Sequence, residues 1–285
     1  MTILPNGRLF ADEVAERPTY WLGPEHVEAY GADTKLLVKL LDAGERLFVH
    51  AHPHVEWARR HVEGVKHGKA EAWFILTAGK VHLGLKEDLS QDRLLDLVMQ
   101  QKSKELLDMM HCLQVQPGDT VYVPAGTLHS VGQGILLVEV QEPEDLNILC
   151  EWQGCKVDGF KDGHLGLGFP VALTAVDRKG LSGDEVESLR TKNGSLGAVM
   201  PLPGKECFEM ERFILKEEML SCRAGFETMA VLSGTLKYTS KVGAVSLDLK
   251  QGDTVLVPHG DGDFRLSGQG EVIIVRPPVP HSSTV

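Results

Sequence analysis

The chain has 285 residues, of which 42% are hydrophobic and 24% are charged. These values are ordinary for a globular protein, and no apolar run is long enough to span a bilayer, which argues against a disordered, fibrous or membrane protein. The net charge of −11, from 29 lysines and arginines against 40 aspartates and glutamates, argues against a broad surface for nucleic acid or anionic lipid. We therefore expect neither nucleic acid nor membrane as a partner.

The N-terminus and the cysteines favour a cytoplasmic protein. Residues 1–7 have neither a basic flank nor an apolar stretch, so they do not resemble a secretory signal peptide. The five cysteines are odd in number and scattered, a pattern typical of reduced thiols rather than of a disulfide framework.

Short strands bounded by turn residues predict a mostly β protein. In the first half we predict strands at 47–52, 72–76, 81–85, 120–123 and 135–140. A helical insertion interrupts them at 90–110, with Ser90 as its N-cap and leucines on one stripe. A Gly-, Lys- and Asp-rich connector follows at 154–204, with a short helix at 182–192.

An internal repeat indicates a duplicated β unit. Residues 113–124 match residues 247–258, and residues 71–76 match residues 227–232. Each copy therefore predicts a β-sandwich or barrel.

Histidines in the first copy suggest a metal site. The period of two along a strand places His50 and His52 on the same face, and Glu71 and His129 are candidate ligands from neighbouring strands. Three nitrogens and one carboxylate suit Zn²⁺ or another divalent first-row ion. In the second copy the corresponding region, 219–223, has no histidine, and Glu227 alone is retained at the Glu71 position.

Several motifs together closely resemble the cupin-type class I mannose-6-phosphate isomerases, particularly the short bacterial form. They are His50-x-His52-Pro53, Gly68-Lys69-Ala70-Glu71-Ala72-Trp73, the segment 118–129 that ends in His129, and Glu139-Val140-Gln141. The resemblance covers most of the chain and implies two cupin-like β-barrel (jelly-roll) domains with a helical insertion. The implied organisation is a catalytic domain at 1–153, a connector at 154–204 and a degenerate cupin domain at 205–285.

The resemblance also implies a ligand set. Carried onto matching positions, the family's zinc ligands are His50, His52, Glu71 and His129. The family usually has glutamine at the position of His50, and an imidazole can coordinate in its place more tightly than an amide oxygen.

One departure from the family affects the substrate. After the Glu-x-Gln motif the family has an arginine implicated in catalysis and in holding the substrate, whereas this chain has Ile148 or Leu149 there, depending on one residue of gap. An aliphatic side chain cannot replace the planar, permanently charged guanidinium group of an arginine. Either another basic residue substitutes, or the substrate and mechanism differ; the nearest basic residues are Arg59, Arg60, His61 and His67.

The implied activity is aldose–ketose isomerisation of mannose 6-phosphate to fructose 6-phosphate. It requires a Lewis acid on the sugar oxygens, a base for the carbon-bound proton and stabilisation of an enediolate. We predict that Glu139 or Asp145 handles protons and that Lys69 stabilises negative charge or holds a phosphate. Trp73 and Gln141 are predicted, with Lys69, to contact the substrate.

Three alternatives stay open at this point. Because the arginine is missing, the substrate could be an unphosphorylated or otherwise different sugar. A cupin that binds a carbohydrate without catalysis is a second reading, and a different cupin chemistry such as dioxygenation is a third. A homodimer is compatible with the sequence but not specified by it.

Overall fold

The computed structural model describes residues 2–242 and 245–280; Met1, residues 243–244 and residues 281–285, the end of the predicted second cupin domain, lie outside the described residues. Its helices are α1 (Phe10–Glu16), α2 (Pro18–Leu22), α3 (Pro24–Tyr30), α4 (Val55–His61), α5 (Gln91–Met99), α6 (Ser103–Met109), α7 (Gly159–Asp162), α8 (Phe169–Ala172) and α9 (Gly183–Ser188). Its strands are β1 (Leu37–Asp42), β2 (His50–Ala51), β3 (Glu71–Ile75), β4 (Gly79–Leu85), β5 (Met110–Val115), β6 (Thr120–Val123), β7 (His129–Val131), β8 (Leu136–Gln141), β9 (Ile148–Leu149), β10 (Arg190–Thr191), β11 (Gly197–Ala198), β12 (Glu209–Lys216), β13 (Leu220–Cys222), β14 (Glu227–Ser240), β15 (Ser246–Lys250), β16 (Thr254–Val257) and β17 (Phe264–Arg276).

The described residues form two compact units. The first unit comprises Leu37–Gly194 and Met200–Gly204, and the second comprises the residues through Leu36, Ser195–Val199 and those from Lys205 onward. The N-terminal helices are thus grouped with the C-terminal strands, because Phe10 packs edge-on against Trp21 and stacks on Phe226. The domain boundaries at 153/154 and 204/205 stay a prediction.

Antiparallel sheets build the first unit, as the mostly β prediction requires. Its residues are all described, and they form two five-stranded sheets with the orders β1-β8-β3-β6-β10 and β5-β4-β7-β2-β9. Strand β3 lies between β8 and β6, and all five of its residues are buried. The apolar run that follows Glu71 in the sequence is therefore a central strand covered on both faces.

The helical insertion is found at the predicted place, but as two helices. The Ser90 side chain caps α5 by accepting from the backbone N–H of Arg93 at 3.2 Å, as predicted. The helix ends at Met99, Gln101 then has a left-handed φ of 51°, and α6 begins at Ser103. The Gln101 side chain holds this break because its Oε1 accepts from the backbone N–H groups of Trp152 and Gln153.

The two insertion helices support the strands that carry the histidines. Their buried side chains join one apolar cluster with residues of β2 and β9 and of the segments beside them. This cluster includes Val49, Ala51, Leu94, Leu97, Val98, Leu106, Met110, Ile148 and Leu149. The very short strand β2 is thus fixed by packing as well as by its hydrogen bonds.

The segment between β9 and β12 contains only short elements, among them the short helix predicted at 182–192. This helix, α9, is shorter than predicted and begins with a capping box. Ser182 accepts from the Glu185 backbone N–H while the Glu185 side chain accepts from the Ser182 N–H.

A second antiparallel sheet system builds the second unit, as the repeat predicts. Over the described residues its main path runs β11-β12-β17-β14-β15, with β13 paired to β17 and β16 paired to β14. Gly234 lies beside a register shift in β14, where its φ is +74° and an added Cβ would approach the Gln269 carbonyl oxygen to 2.1 Å. Only glycine fits there. Across the described residues, no helix is both long and apolar enough to cross a membrane.

We predict that Leu94→Ala lowers the free energy of unfolding by about 2–5 kcal/mol, since it leaves a cavity under β2 and β9. Leu94 is fully buried, whereas Met99 on the same helix is 45% exposed, so Met99→Ala is the matched control. Urea denaturation measures both variants. Equal, small losses would contradict the supporting role of the insertion.

Candidate metal centre

Three histidines meet between the two sheets of the first unit. His50 lies in β2 and is directly opposite His129, the first residue of β7, while His52 follows β2 on the same side. Their ring centroids are 4.1 to 4.9 Å apart. One ligand nitrogen from each lies within 4.8 Å of the others, so this histidine cluster could hold a metal ion.

Backbone carbonyls orient every ring of the histidine cluster. Because each carbonyl oxygen must accept, each Nδ1 carries the proton and each Nε2 keeps its lone pair for the centre of the cluster. The pairs are His50 Nδ1 with Phe48 O at 2.9 Å, His52 Nδ1 with Leu146 O at 2.8 Å, and His129 Nδ1 with Thr127 O at 2.8 Å.

The cluster is buried, and burial disfavours the charged form of two of its imidazoles. Burial, reinforced by the neighbouring imidazoles, holds the pKa of His50 well below its ordinary value and lowers the pKa of His129 to about 3. The Nε2 atom of His129 is buried and has no hydrogen-bond partner among the described residues. A buried, neutral and unpartnered imidazole nitrogen is the donor that a first-row metal ion takes.

Glu71 adds a carboxylate to the cluster. Its Oε1 lies 2.9 Å from His52 Nε2, and its Oε2 lies 3.8 Å from His129 Nε2. Burial alone would raise the pKa of Glu71, but His52, His129 and Lys69 hold it well below its usual range. The Lys69 ammonium lies beside this pair and offsets their repulsion, and imidazole nitrogens with a carboxylate oxygen are donors that a divalent first-row ion accepts.

Lys69 is a buried cation beside this set. It is only 4% exposed, and its Nζ lies 3.0 Å from Glu71 Oε1, 3.2 Å from His52 Nε2 and 3.3 Å from Asn147 Oδ1. The structure therefore brings Lys69 into the cluster, as its place two residues before Glu71 suggested. Asn147 was not anticipated from the sequence.

Trp73 lies on the same face as Glu71 and is 1% exposed. Its Nε1–H donates to Glu71 Oε2 at 3.2 Å, and its ring is 5.6 Å from the ring of His129. Trp73 therefore fixes the carboxylate by a hydrogen bond.

Glu139 and Gln141 both point into the unit from β8, next to β3 in register with Trp73 and Glu71. Lys39 on β1 joins them: its Nζ is 3.2 Å from Glu139 Oε2 and donates to Gln141 Oε1. Burial and the nearby Glu71 raise the pKa of Glu139, against the opposing effect of Lys39 and Lys69. Lys39 was not singled out from the sequence, although a single lysine within an apolar strand can indicate a residue that belongs to a functional site.

The remaining predicted residues lie outside this cluster. Asp145 is exposed and accepts from the Asn147 Nδ2 amide at 3.0 Å. Ile148 and Leu149 are buried in the apolar core, and Leu149 pairs with His50 across β9 and β2. No charge therefore stands at the position of the family arginine. On the nearby basic segment, Arg59 donates to the Lys66 carbonyl.

Comparison with known proteins shows that the chain is similar to isomerases. No family model matches the chain. The chain is 35% identical over 255 residues to the mannose-6-phosphate isomerase of Streptococcus mutans, covering 87% of this chain and 77% of the relative. It is 29% identical over 249 residues to mannose-6-phosphate isomerase ManA of Bacillus subtilis, covering 84% and 74%. Its fold matches that of a mutant phosphomannose isomerase from Salmonella typhimurium, with a TM-score of 0.74, 15% identity and coverage of 98% and 90%.

We predict that His52→Ala weakens metal binding by at least about 100-fold, because it removes a ligand rather than a supporting contact. His54→Ala is the matched control: His54 is two residues away, 47% exposed, and paired with Asp177 at 3.1 Å. Metal content after dialysis and competition with a chelator measure both variants. Full metal affinity in the His52 variant would contradict the ligand assignment.

Proposed function

The chain belongs to the mannose-6-phosphate isomerase family, and from that premise we propose that it is a metal-dependent aldose–ketose isomerase that interconverts mannose 6-phosphate and fructose 6-phosphate. The observation that carries the proposal is the convergence of three imidazoles, one carboxylate and a buried lysine in the first unit.

His50, His52, His129 and Glu71 are the proposed metal ligands, and Zn²⁺ is the proposed ion. Three imidazole nitrogens and one carboxylate are donors that zinc accepts while leaving a position for substrate oxygen. When bound, such an ion polarises the carbonyl and hydroxyl oxygens of a sugar.

Glu139 is the proposed base. Isomerisation moves one proton from C2 of the aldose to C1 of the ketose, together with a proton exchange between the two oxygens. Glu139 is buried beside Lys39, and its raised pKa gives it more basic strength than an ordinary carboxylate. Asp145, the other candidate from the sequence, is solvent-exposed, so the contacts favour Glu139.

The remaining polar residues have proposed supporting roles. The Lys69 ammonium lies where negative charge would develop on the sugar oxygens, next to Glu71 and His52. Gln141 accepts from Lys39 and so orients that lysine toward Glu139. Trp73 acts through Glu71, to which its indole donates.

A second candidate is isomerisation of an unphosphorylated sugar. The observation that favours it is that Ile148 and Leu149, one of which stands where the resemblance implies an arginine, are both buried aliphatic side chains on the strand next to His50. Lys39 and Lys69 are both engaged with carboxylates, so neither is a dedicated phosphate ligand.

We propose a cytoplasmic setting for either activity. None of the five cysteines, all of which lie in the described part of the chain, forms a disulfide, which suits a reducing compartment.

Turnover assays with zinc-loaded protein test the proposal. We expect conversion of mannose 6-phosphate to fructose 6-phosphate, with free mannose and other free aldoses as the comparison panel. Turnover of free aldoses alone would replace the first candidate by the second. If the zinc-loaded protein converts neither mannose 6-phosphate nor any free aldose, the isomerase proposal is contradicted, and a carbohydrate-binding cupin is the reading that is left.

We further predict that Lys39→Met moves the acidic limb of the kcat/KM profile to higher pH. A base must be deprotonated, so activity falls as the pH drops through the pKa of Glu139. Removing the Lys39 cation removes an effect that lowers this pKa, and the pKa rises further. Lys80→Met, at an exposed position on β4, is the control. An unmoved limb in the Lys39 variant would argue against Glu139 as the base.

A further inference from the structure

The second unit contains a counterpart of the metal centre in its strand register. In the first unit Glu71 opens β3, opposite Val123 of β6 and Gln141 of β8. In the second unit Glu227 opens β14, opposite Val257 of β16, and its neighbour Thr228 pairs with Val275 of β17. Continued by one residue, that register sets Glu227 beside Arg276. Glu227 thus occupies the Glu71 position, and Arg276 the position of Gln141.

The chemistry at this position is no longer that of a metal site. Cys222 pairs with Phe264 where His50 pairs with His129 in the first unit. Arg276 instead provides the cation: its Nε donates to Glu227 Oε1 at 2.7 Å, and its Nη1 donates to Glu211. A guanidinium that already neutralises the carboxylate leaves no place for a metal ion.

A cavity of about 330 Å³ nevertheless lies next to this ion pair, within the second unit. Its wall includes Arg276, Arg223, Phe226 and His259, together with the start of α3. The volume falls at the lower end of the range for small-molecule sites, which is about 300–1,000 Å³. Prolines and Phe226 give it apolar surface, on which a compact ligand can pack.

The charges around the cavity disfavour an anion. Arg276 is shared by Glu227 and Glu211, and Arg223 is paired with Glu209 at 2.7 Å. Glu25 and Glu209 also line the wall. A phosphate or carboxylate would have to displace these carboxylates from the arginines, at a cost in electrostatic energy.

One oxygen of the Glu227 carboxylate, close to the cavity, lacks a hydrogen-bond partner among the described residues. This oxygen is Oε2, and Glu227 is fully buried. Glu227 is not part of the cavity wall but lies behind it: a Cβ on the wall residue Gly225 would lie 3.7 Å from Glu227 Oε1. Burial raises the pKa of Glu227 to about 7, so it can be neutral or charged at physiological pH. The acceptors that a ligand hydroxyl meets in the wall itself are the carboxylates of Glu25 and Glu209.

We propose that this cavity is a second ligand site, and that its ligand is a small uncharged polyol of monosaccharide size. Hydroxyl groups match the mixture of arginine donors and glutamate acceptors without adding charge, while the apolar wall packs against the carbon skeleton. The site is independent of the isomerase activity and lies in the unit that lacks the histidine cluster.

Fluorine NMR of protein labelled with 5-fluorotryptophan tests this site. The chain has four tryptophans. Trp21 precedes the wall residue Leu22 and contacts Phe10, which stacks on Phe226, whereas Trp73 contacts the metal ligand Glu71. Trp21→Phe and Trp73→Phe assign the two signals, which therefore report the two sites separately. Titration with free mannose and free fructose is expected to shift the Trp21 signal saturably, and inorganic phosphate is not.

Arg223→Ala is expected to weaken this binding by at least about tenfold, as the loss of a charged hydrogen-bond donor does. Lys237→Ala, at an exposed position of the same unit outside the cavity wall, should leave it unchanged. The proposal is overturned if free sugars leave the Trp21 signal in place, or if phosphate shifts it and sugars do not. A shift confined to the Trp73 signal overturns it too, while supporting a sugar site in the first unit.

Discussion

The structure of the first unit depends on one electrostatic constraint: lone pairs and a carboxylate face each other in a buried space. His52 Nε2 and Glu71 Oε1 are 2.9 Å apart, and each histidine has already used its Nδ1 proton on a backbone carbonyl. Such an arrangement is stable only with positive charge at its centre. The buried Lys69 supplies one charge, and a metal ion would supply more.

The rigidity of this arrangement comes from outside the cluster. Strand β2 is only two residues long, so its hydrogen bonds alone would hold His50 weakly. The apolar cluster under β2 and β9, to which the helical insertion contributes Leu94, Leu97, Val98 and Leu106, holds the strand in place. The insertion therefore helps to position the metal ligands, although none of its own residues is among the proposed ligands.

Local pattern was enough to predict much of the fold and the chemistry of the site. A His-x-His strand, a β3 sequence opening on glutamate and a capped insertion are all features of short range. What could not be predicted depends on contacts between distant segments. Lys39 reaches Glu139 only because β1 pairs with β8, and the insertion breaks at Gln101 because Trp152 and Gln153 donate to its side chain. The exposed position of Asp145 likewise follows from the path of the loop after β8, which no period in the sequence encodes.

The charge balance of the first unit bears on its substrate. Glu71 and Glu139 are matched by Lys69 and Lys39, so the described side chains around the cluster are close to neutral without an ion. A divalent ion held by the imidazoles would add positive charge to the site. Positive charge favours both a developing enediolate and a substrate that carries a phosphate. It can therefore offset the loss of the arginine at Ile148 or Leu149. The second unit, in which Arg276 is engaged by two glutamates, has no such excess of positive charge, in keeping with an uncharged ligand.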